Sequence, residues 1–412
     1  VNISTKINEN CILRPINFII MKSLFKIVLL VGVMLTIVGC PSDDSGSTIA
    51  VRDRQEVYGE NIDDIKNYLK SNYIEIDVNN NVTVTKIPED GTQTSIWDQY
   101  KTPDFGTVEE PEEVPYITVK NDTRTSLLTD GRIADDVDYK LYYIVLDEGN
   151  GKTPTSVDST FVAYKGWNLE NEIFDRNSTG AWFSYPDLNT SISGFRQILS
   201  KIKAPSASSL PTVDPDGTIS YLNYGNVIVF IPSGLAYFNS ATANIDAYAP
   251  IAFQIKLFAI NERDHDFDEV PSKHEDFSYT ITGERILSPD NDYFNDDTDG
   301  DKIPDFIDND DDGDGFLTKF EVRHSITTGA PPVKTYYYYP FTGAASDDPL
   351  TPYDDTRGIP REFTGSLMPV IIPPSTTPVM LKGPGTDDFN NVSRLRRHLD
   401  PNAKPPFYDQ YQ

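Results

Sequence analysis

The chain has 412 residues, 38% hydrophobic and 24% charged, enough for one substantial domain with smaller elements beside it. Its formal charge of −28 repels nucleic acid and anionic lipid headgroups, which excludes both as partners of the folded surface. The four histidines (His265, His274, His324, His398) are scattered, and Cys-x-x-Cys, Gly-x-Ser-x-Gly and phosphate-binding glycine loops are all missing from the sequence, so hydrolase, kinase and zinc-enzyme chemistry find no support.

Residues 1–20 read as upstream translation without a structural role, with Met21 as the start. Lys22 and Lys26 precede an apolar run, Ile27 to Val38, that is too short for a membrane span and ends at Gly39-Cys40. Residues 21–39 therefore read as a signal peptide. Ile37-Val38-Gly39-Cys40 resembles the bacterial lipobox, which makes Cys40 the lipidated first residue; an ordinary secretory signal with a chance cysteine is the other reading. The PSDDSG that follows resembles the export signal of surface lipoproteins in Bacteroidota-like bacteria, and reads equally as a solvated tether. The expected location is the outer membrane, on its periplasmic or cell-surface side, with membrane contact through the lipid anchor alone. With Cys11 upstream of the cleavage site and Cys40 acylated, no disulfide forms within the mature chain.

Residues 40–116 form a tether and an N-terminal helical segment. Val57, Ile62, Ile65, Tyr68 and Leu69 recur at helical spacing between charges, predicting an amphipathic helix within 51–73 that packs on the main domain. Residues 81–116, rich in Thr, Pro and Glu, read as a short strand or two plus a linker. The main domain is placed at 117–262. Its expected strands are YITVK, DYKLYYIVLDEG, FVAYKGW from Phe161, EIFDRN, NVIVFI and YAPIAFQIKLFAI; ISGF, from Ile192, opens a helix.

Within Phe161 to Ile260, several motifs follow one another in a fixed order. They are Tyr164-Lys165-Gly166, Phe174-Asp175, Ile192-x-Gly194-Phe195, and Ile231-Pro232 with Leu235-Ala236-Tyr237. Ile245 and Phe253 close the series. This order resembles the FKBP-type peptidyl-prolyl isomerases. The resemblance implies an α+β fold, an FKBP-like antiparallel sheet wrapped on a short helix. It further implies an aromatic cup of Tyr164, Phe174, Phe195, Tyr237 and Phe253. Ile192 would stand at its edge, its N–H holding the substrate carbonyl; Trp182 or Phe183 would form a wall, Ile245 the flap, and Asp175 a polar contact. Each aromatic taken singly also reads as core.

The chain departs from the family in three places. Lys203–Gly225 is a Pro-, Ser- and Gly-rich insertion, Phe195 stands where the family has tryptophan, and Phe238, Asp246 and Ala247 alter the flap. Rotation about X-Pro faces a barrier of about 18–20 kcal/mol and needs only an apolar site that favours the twisted amide, so no catalytic cofactor is implied. The expected function is isomerisation of proline-containing polypeptides exported to the envelope. The alternative is a non-catalytic FKBP-like binding module.

An Asp-rich stretch, 287–325, carries the second signal. Calcium takes six to eight oxygen ligands, which a twelve-residue loop supplies from alternate positions, a carbonyl and a closing carboxylate. From Asp310, the positions fall on Asp312, Asp314, Gly315 at the sixth, the Phe316 carbonyl, Thr318 and Glu321 at the twelfth. Thirteen residues upstream, Asp297, Asp299, Asp301, the Ile303 carbonyl, Asp305 and Asp308 repeat the spacing, with Lys302 at the sixth position and Asp at the twelfth. The tandem run resembles thrombospondin type 3 repeats more than paired EF-hands, and implies structural Ca2+; a solvated acidic linker is the plain alternative. Residues 326–412 read as an irregular Pro- and Tyr-rich tail. It holds a basic island, SRLRRHLDPNAK, that folds back on acidic surface or meets a partner.

Overall fold

The computed structural model describes residues 50–121, 135–185, 191–279, 285–286, 292–338, 358–371, 375–383, 385, 387–388, 391 and 393–404. The signal segment 21–39 and Cys40 lie outside the described residues. The chain divides at Val51, and the unit Arg52–Gln412 holds every element below. Among the described residues, no helix is long and apolar enough to cross a membrane.

Helix α1 spans Arg54–Ser71. Asp53 caps it by accepting from the Glu56 N–H at 2.9 Å, and Lys70 sits in the last turn, where the helix dipole favours a cation. Val57, Asn61, Ile65, Tyr68 and Leu69 form its buried stripe. The hairpin β1 (Asn72–Ile76) and β2 (Val82–Lys86) follows. A short helix, α2 (Ile96–Tyr100), then stands where the sequence reads as linker; Ser95 caps it, and Ile96 and Trp97 are buried.

The main sheet is wholly antiparallel. Its strands are β3 (Tyr116–Val119), β4 (Tyr139–Asp147), β5 (Ser159–Asn168) and β6 (Ile173–Ser184), with two more, β9 (Gly225–Ile231) and β10 (Ile251–Asn261), in the middle. The order is β3-β4-β9-β10-β5-β6. The insertion before β9 carries a two-residue hairpin of its own, β7 (Thr212–Val213) and β8 (Ile219–Ser220), turned at Gly217 with φ 87°.

Period-two alternation sends the apolar residues of β9 and β10 to both faces, with Asn226 and Gln254 as buried polar exceptions. Val227, Val229 and Ile231 of β9, with Phe253, Ile255 and Leu257 of β10, face one core; helix α3 (Ser193–Ile198) covers it with Phe195 and Ile198. Ile228, Phe230 and Ala252 face the other core, together with Tyr142, Trp167 and the Ile65, Tyr68, Leu69 stripe of α1. Burying a side chain such as Ile65 or Leu69 contributes roughly 1.5–3 kcal/mol. Trp167 Nε1 donates to the Tyr68 hydroxyl at 2.9 Å, and the buried Asn61 amide bridges the Ser233 N–H and the Tyr248 carbonyl. The α+β class is therefore seen, with mostly antiparallel sheets and few helices.

The C-terminal part is more ordered than an irregular tail. Short pairs β11 (Ser278–Tyr279) and β12 (Arg285–Ile286), β13 (Arg323–Thr328) and β14 (Val333–Tyr338), and β15 (Leu367–Ile371) and β16 (Pro378–Lys382) occur along it. The basic island is mostly buried. Arg397 donates through Nε to the Glu321 carbonyl and through Nη2 to the Arg323 carbonyl at 2.6 Å. Composition alone concealed this, because the segment is held by long-range polar contacts and not by an apolar period.

Candidate metal centre

The aromatic residues singled out in the sequence do gather. Phe195 packs at 5.8 Å on Tyr164, 5.4 Å on Phe183 and 5.2 Å on Phe253, and Phe174 meets Phe253 at 5.4 Å, mostly edge-to-face. Phe195, Phe253 and Ile245 are buried core residues, while Phe174, Ile192 and Tyr237 pack at the margin. The Tyr164 hydroxyl donates to Asp175 at 2.9 Å; burial, then this carboxylate, push it up to about 12. Trp182 does not join. It neighbours Phe183 on a strand, so it faces the other way, packs on Phe161 at 5.3 Å and is 53% exposed. Phe238 adopts φ 46° and packs on Tyr248 at 5.1 Å, a different course for the flap. What the geometry gives is a packed aromatic core with the Tyr164–Asp175 pair at its margin.

The acidic loops are organised more tightly. In the loop from Asp310, the carboxylates of Asp310, Asp312 and Asp314 each bring an oxygen within 4.8 Å of the others. Their other oxygens hold the turn. Asp310 accepts from the Gly315 N–H at 3.0 Å, Asp312 from the Asp314 N–H at 3.2 Å and Asp314 from the Phe316 N–H at 2.8 Å. Gly315, at the sixth position, adopts φ 91°. The short helix α4 (Thr318–Glu321) follows. Thr318 is not free to turn inward, because its hydroxyl accepts from the Asp311 N–H at 3.1 Å. Glu321 is fully buried, neither of its carboxylate oxygens accepts a hydrogen bond, and the charges it feels are those of Asp312, Asp314 and Asp310, with Arg397 opposing. Burial first, then these neighbours, push Glu321 up to about 9 and Asp312 to about 7. The donor set is all oxygen and chiefly carboxylate, and a hard divalent ion is the group whose chemistry matches it.

The upstream loop repeats the backbone. Asp297 accepts from the Gly300 and Lys302 N–H groups at 2.8 and 3.0 Å, Asp299 from Asp301 at 2.9 Å and Asp301 from Ile303 at 2.7 Å. Lys302 takes φ 80° at the sixth position. Asp297, Asp299 and Asp301 cluster, but they are largely exposed. Asp305 does not join them: both its oxygens accept from Thr298, at 2.8 and 2.6 Å. Asp308 accepts from the Asp310 N–H at 3.0 Å and lies between the loops, raised by burial and by Asp301, Asp299 and Asp310. Of the two loops, the one ending at Glu321 is the more enclosed. Asp268, Glu275 and Asp311, which the sequence reading passed over, form a further buried cluster. The signal for it was present as Asp-x-Asp-x-Asp closed by a glutamate seven residues on, without the glycine that marks such loops.

One family model matches, the one described as BamM C-terminal, over residues 265–353, about a fifth of the chain. No curated protein matches the sequence. Solved structures that align include FkpA from Escherichia coli, at 24% identity over 30% of this chain and 48% of that chain. A second is a peptidyl-prolyl cis-trans isomerase from Pseudomonas syringae pv. tomato, at 23% identity over 34% of this chain and 84% of that one. Both have a TM-score of 0.23, and this chain spans only about half the length of FkpA. Superpositions of that quality carry neither a fold name nor an activity. The matching family is neither FKBP nor EF-hand, so the FKBP assignment and the EF-hand or thrombospondin type 3 resemblance of the acidic stretch are both corrected, and with the former the isomerase function, its proline-containing clients and the FKBP-like binding module.

Proposed function

We propose that the chain is an outer-membrane-associated envelope protein that takes part in outer-membrane protein assembly, with its carboxylate module joining it to the other members. The observation that carries this reading is where the BamM C-terminal match falls: residues 265–353 take in all the acidic loops described above. An anionic surface disfavours direct contact with anionic headgroups, so the contacts of this module are to protein. Structural Ca2+ in the Asp310–Glu321 loop would fix the module's backbone, with Asp310, Asp312, Asp314 and Glu321 as carboxylate ligands and the Phe316 carbonyl at the seventh position. The ion's role there is to neutralise the cluster. Attachment through Cys40 fits the same location.

Depletion in living cells tests the role. Folded β-barrel proteins, read by their heat-modifiable gel mobility, should fall before soluble envelope proteins do. The full chain should restore them, and a chain lacking 265–353 should not. Unchanged barrel levels after depletion would remove the reading.

A further inference from the structure

Three residues beyond the end of β10, Asp264, Asp266 and Asp268 bring carboxylate oxygens within 4.8 Å of one another; so do Asp268, Glu275 and Asp311. The backbone between them is that of the two Asp-rich loops. Asp264 accepts from the Phe267 and Glu269 N–H groups at 2.7 and 3.2 Å, Asp266 from Asp268 at 3.3 Å and Asp268 from Val270 at 2.7 Å. Counting from Asp264, the fourth and sixth residues, Phe267 and Glu269, have φ 65° and 79°. Those are the places of Gly300 and Lys302, and of Gly313 and Gly315, at 81°, 80°, 65° and 91°. The twelfth residue is Glu275.

Loop shape alone would not make a site. The buried carboxylates supply the independent observation. Glu275 is 2% exposed, and neither of its oxygens accepts a hydrogen bond. Asp268 and Asp311 are 1% and 2% exposed, and each leaves one oxygen unpartnered, as does Asp266 beside Asp268. Among the described residues, no lysine or arginine pairs with any of these four. Burial, then mutual repulsion, push Asp266 up to about 9 and hold Glu275 well above the usual carboxylate range. Two oxygens bound at 2.3–2.6 Å to one calcium stand at most about 5 Å apart; Asp264, Asp266 and Asp268 fit that limit, as do Asp268, Glu275 and Asp311, with Asp268 common to both groups.

We infer that Asp264–Glu275 is a third calcium loop, closed by Asp311 from the Asp310–Glu321 loop. The ion would tie the end of the central strand of the main sheet to the carboxylate module. Asp264, Asp266, Asp268 and Glu275 occupy the first, third, fifth and twelfth places, and Asp311 adds a ligand from outside the loop.

Calcium stoichiometry on the full chain, after dialysis against a chelator, tests the inference. By native mass spectrometry, the unaltered chain should hold one ion more than Glu275→Gln, while the Glu321→Gln variant keeps the ion in question. Equal counts for the unaltered chain and Glu275→Gln overturn it. If Glu275→Gln does not fold, Asp266→Asn, nearer the surface, replaces it. Hydrogen exchange on the unaltered chain needs no variant: calcium should slow amides of 264–276 and of 309–312 together, at the same calcium concentration. Slowing confined to 310–321 overturns the inference too.

Discussion

Withdrawing calcium from the Asp310–Glu321 loop is the perturbation whose size follows most directly from the geometry. Oxygens of Asp310, Asp312 and Asp314 lie within 4.8 Å of one another. At an effective dielectric of about 20, each ionised pair at that spacing repels by about 3.5 kcal/mol. Three such pairs match a large part of a domain's net stability of about 5–15 kcal/mol, before Glu321 is added. Without an ion the loop therefore has to take up protons or open. With calcium at a hundred times its dissociation constant, the folded state gains about 2.7 kcal/mol. For the unit Arg52–Gln412, at about 2.1 cal/mol/K of unfolding entropy per residue, that corresponds to a rise in Tm of roughly 3–4 °C.

Calorimetry of the full chain in calcium and in chelator should show a rise of that order, with slowed hydrogen exchange at 310–322. Glu321→Gln should abolish most of the shift yet hardly change the calcium-free melt. The reason is the sign of the shift. Without an ion, the Glu321 carboxyl is raised from 4.5 to about 9, so at neutral pH it is protonated and glutamine resembles it. Its contribution to the calcium-free fold is complete below about 4.5 and is lost as pH rises toward 9. Identical melts and exchange with and without calcium would refute the argument. So would a glutamine variant that lowered both melts equally.

Other expectations follow from single residues. Lys302 holds φ 80° with a Cβ, a conformation that costs about 1–2 kcal/mol outside glycine, so Lys302→Gly should stabilise by up to about 1 kcal/mol in chemical denaturation. Gly315→Ala should lose about 1 kcal/mol through backbone strain alone, since a Cβ there would meet nothing within 4 Å; a neutral result would show that the loop relaxes. Glu113 is buried against Lys140 at 2.9 Å and Lys66 at 3.2 Å and accepts from the Tyr142 hydroxyl. Burial raises its carboxyl, but those partners outweigh it and hold it below 4.5. Glu113→Gln should therefore cost about 2–3 kcal/mol at neutral pH. The parent loses this contribution as pH falls through the folded value, so urea midpoints of parent and variant should converge in acid. Arg397→Ala should lower the melting point of the carboxylate module by removing the donors to the Glu321 and Arg323 carbonyls; an unchanged melt would mean that water replaces them.

Alternation and helical spacing made the centre of the fold legible. β10 read as a central strand because it alternates and is rich in β-prone residues, and α1 read as a helix because Val57, Ile65, Tyr68 and Leu69 recur on one stripe. Ring contacts among Tyr164, Phe174, Phe195 and Phe253 were legible as proximity, but proximity of aromatics is what a core produces as readily as a ligand site. Of the two residues offered for the wall, Phe183 faces Phe195 and Trp182, its strand neighbour, therefore points to the other side. Helix α2 was hidden among Thr, Pro and Glu, where five residues show no period, and its signal was the Ser95 cap.

The acidic loops show why a glycine rule finds some sites and hides others. What the sixth position requires is a backbone of positive φ, which aims the neighbouring N–H groups at the first carboxylate. Glycine meets that without strain at Gly315, but Lys302 and Glu269 meet it too, at φ 80° and 79°. Their added strain, about 1–2 kcal/mol each, is small beside the repulsion that an ion would relieve among clustered carboxylates. A sequence filter that demands glycine accepts Asp310–Glu321, admits Asp297–Asp308 as an exception and rejects Asp264–Glu275. Burial orders them differently: Glu321 and Glu275 are enclosed with both oxygens unpartnered, while the closing Asp308 is half-buried and accepts from the Asp310 N–H. The closing glutamate, more than the glycine, marks the two loops whose last carboxylate is enclosed.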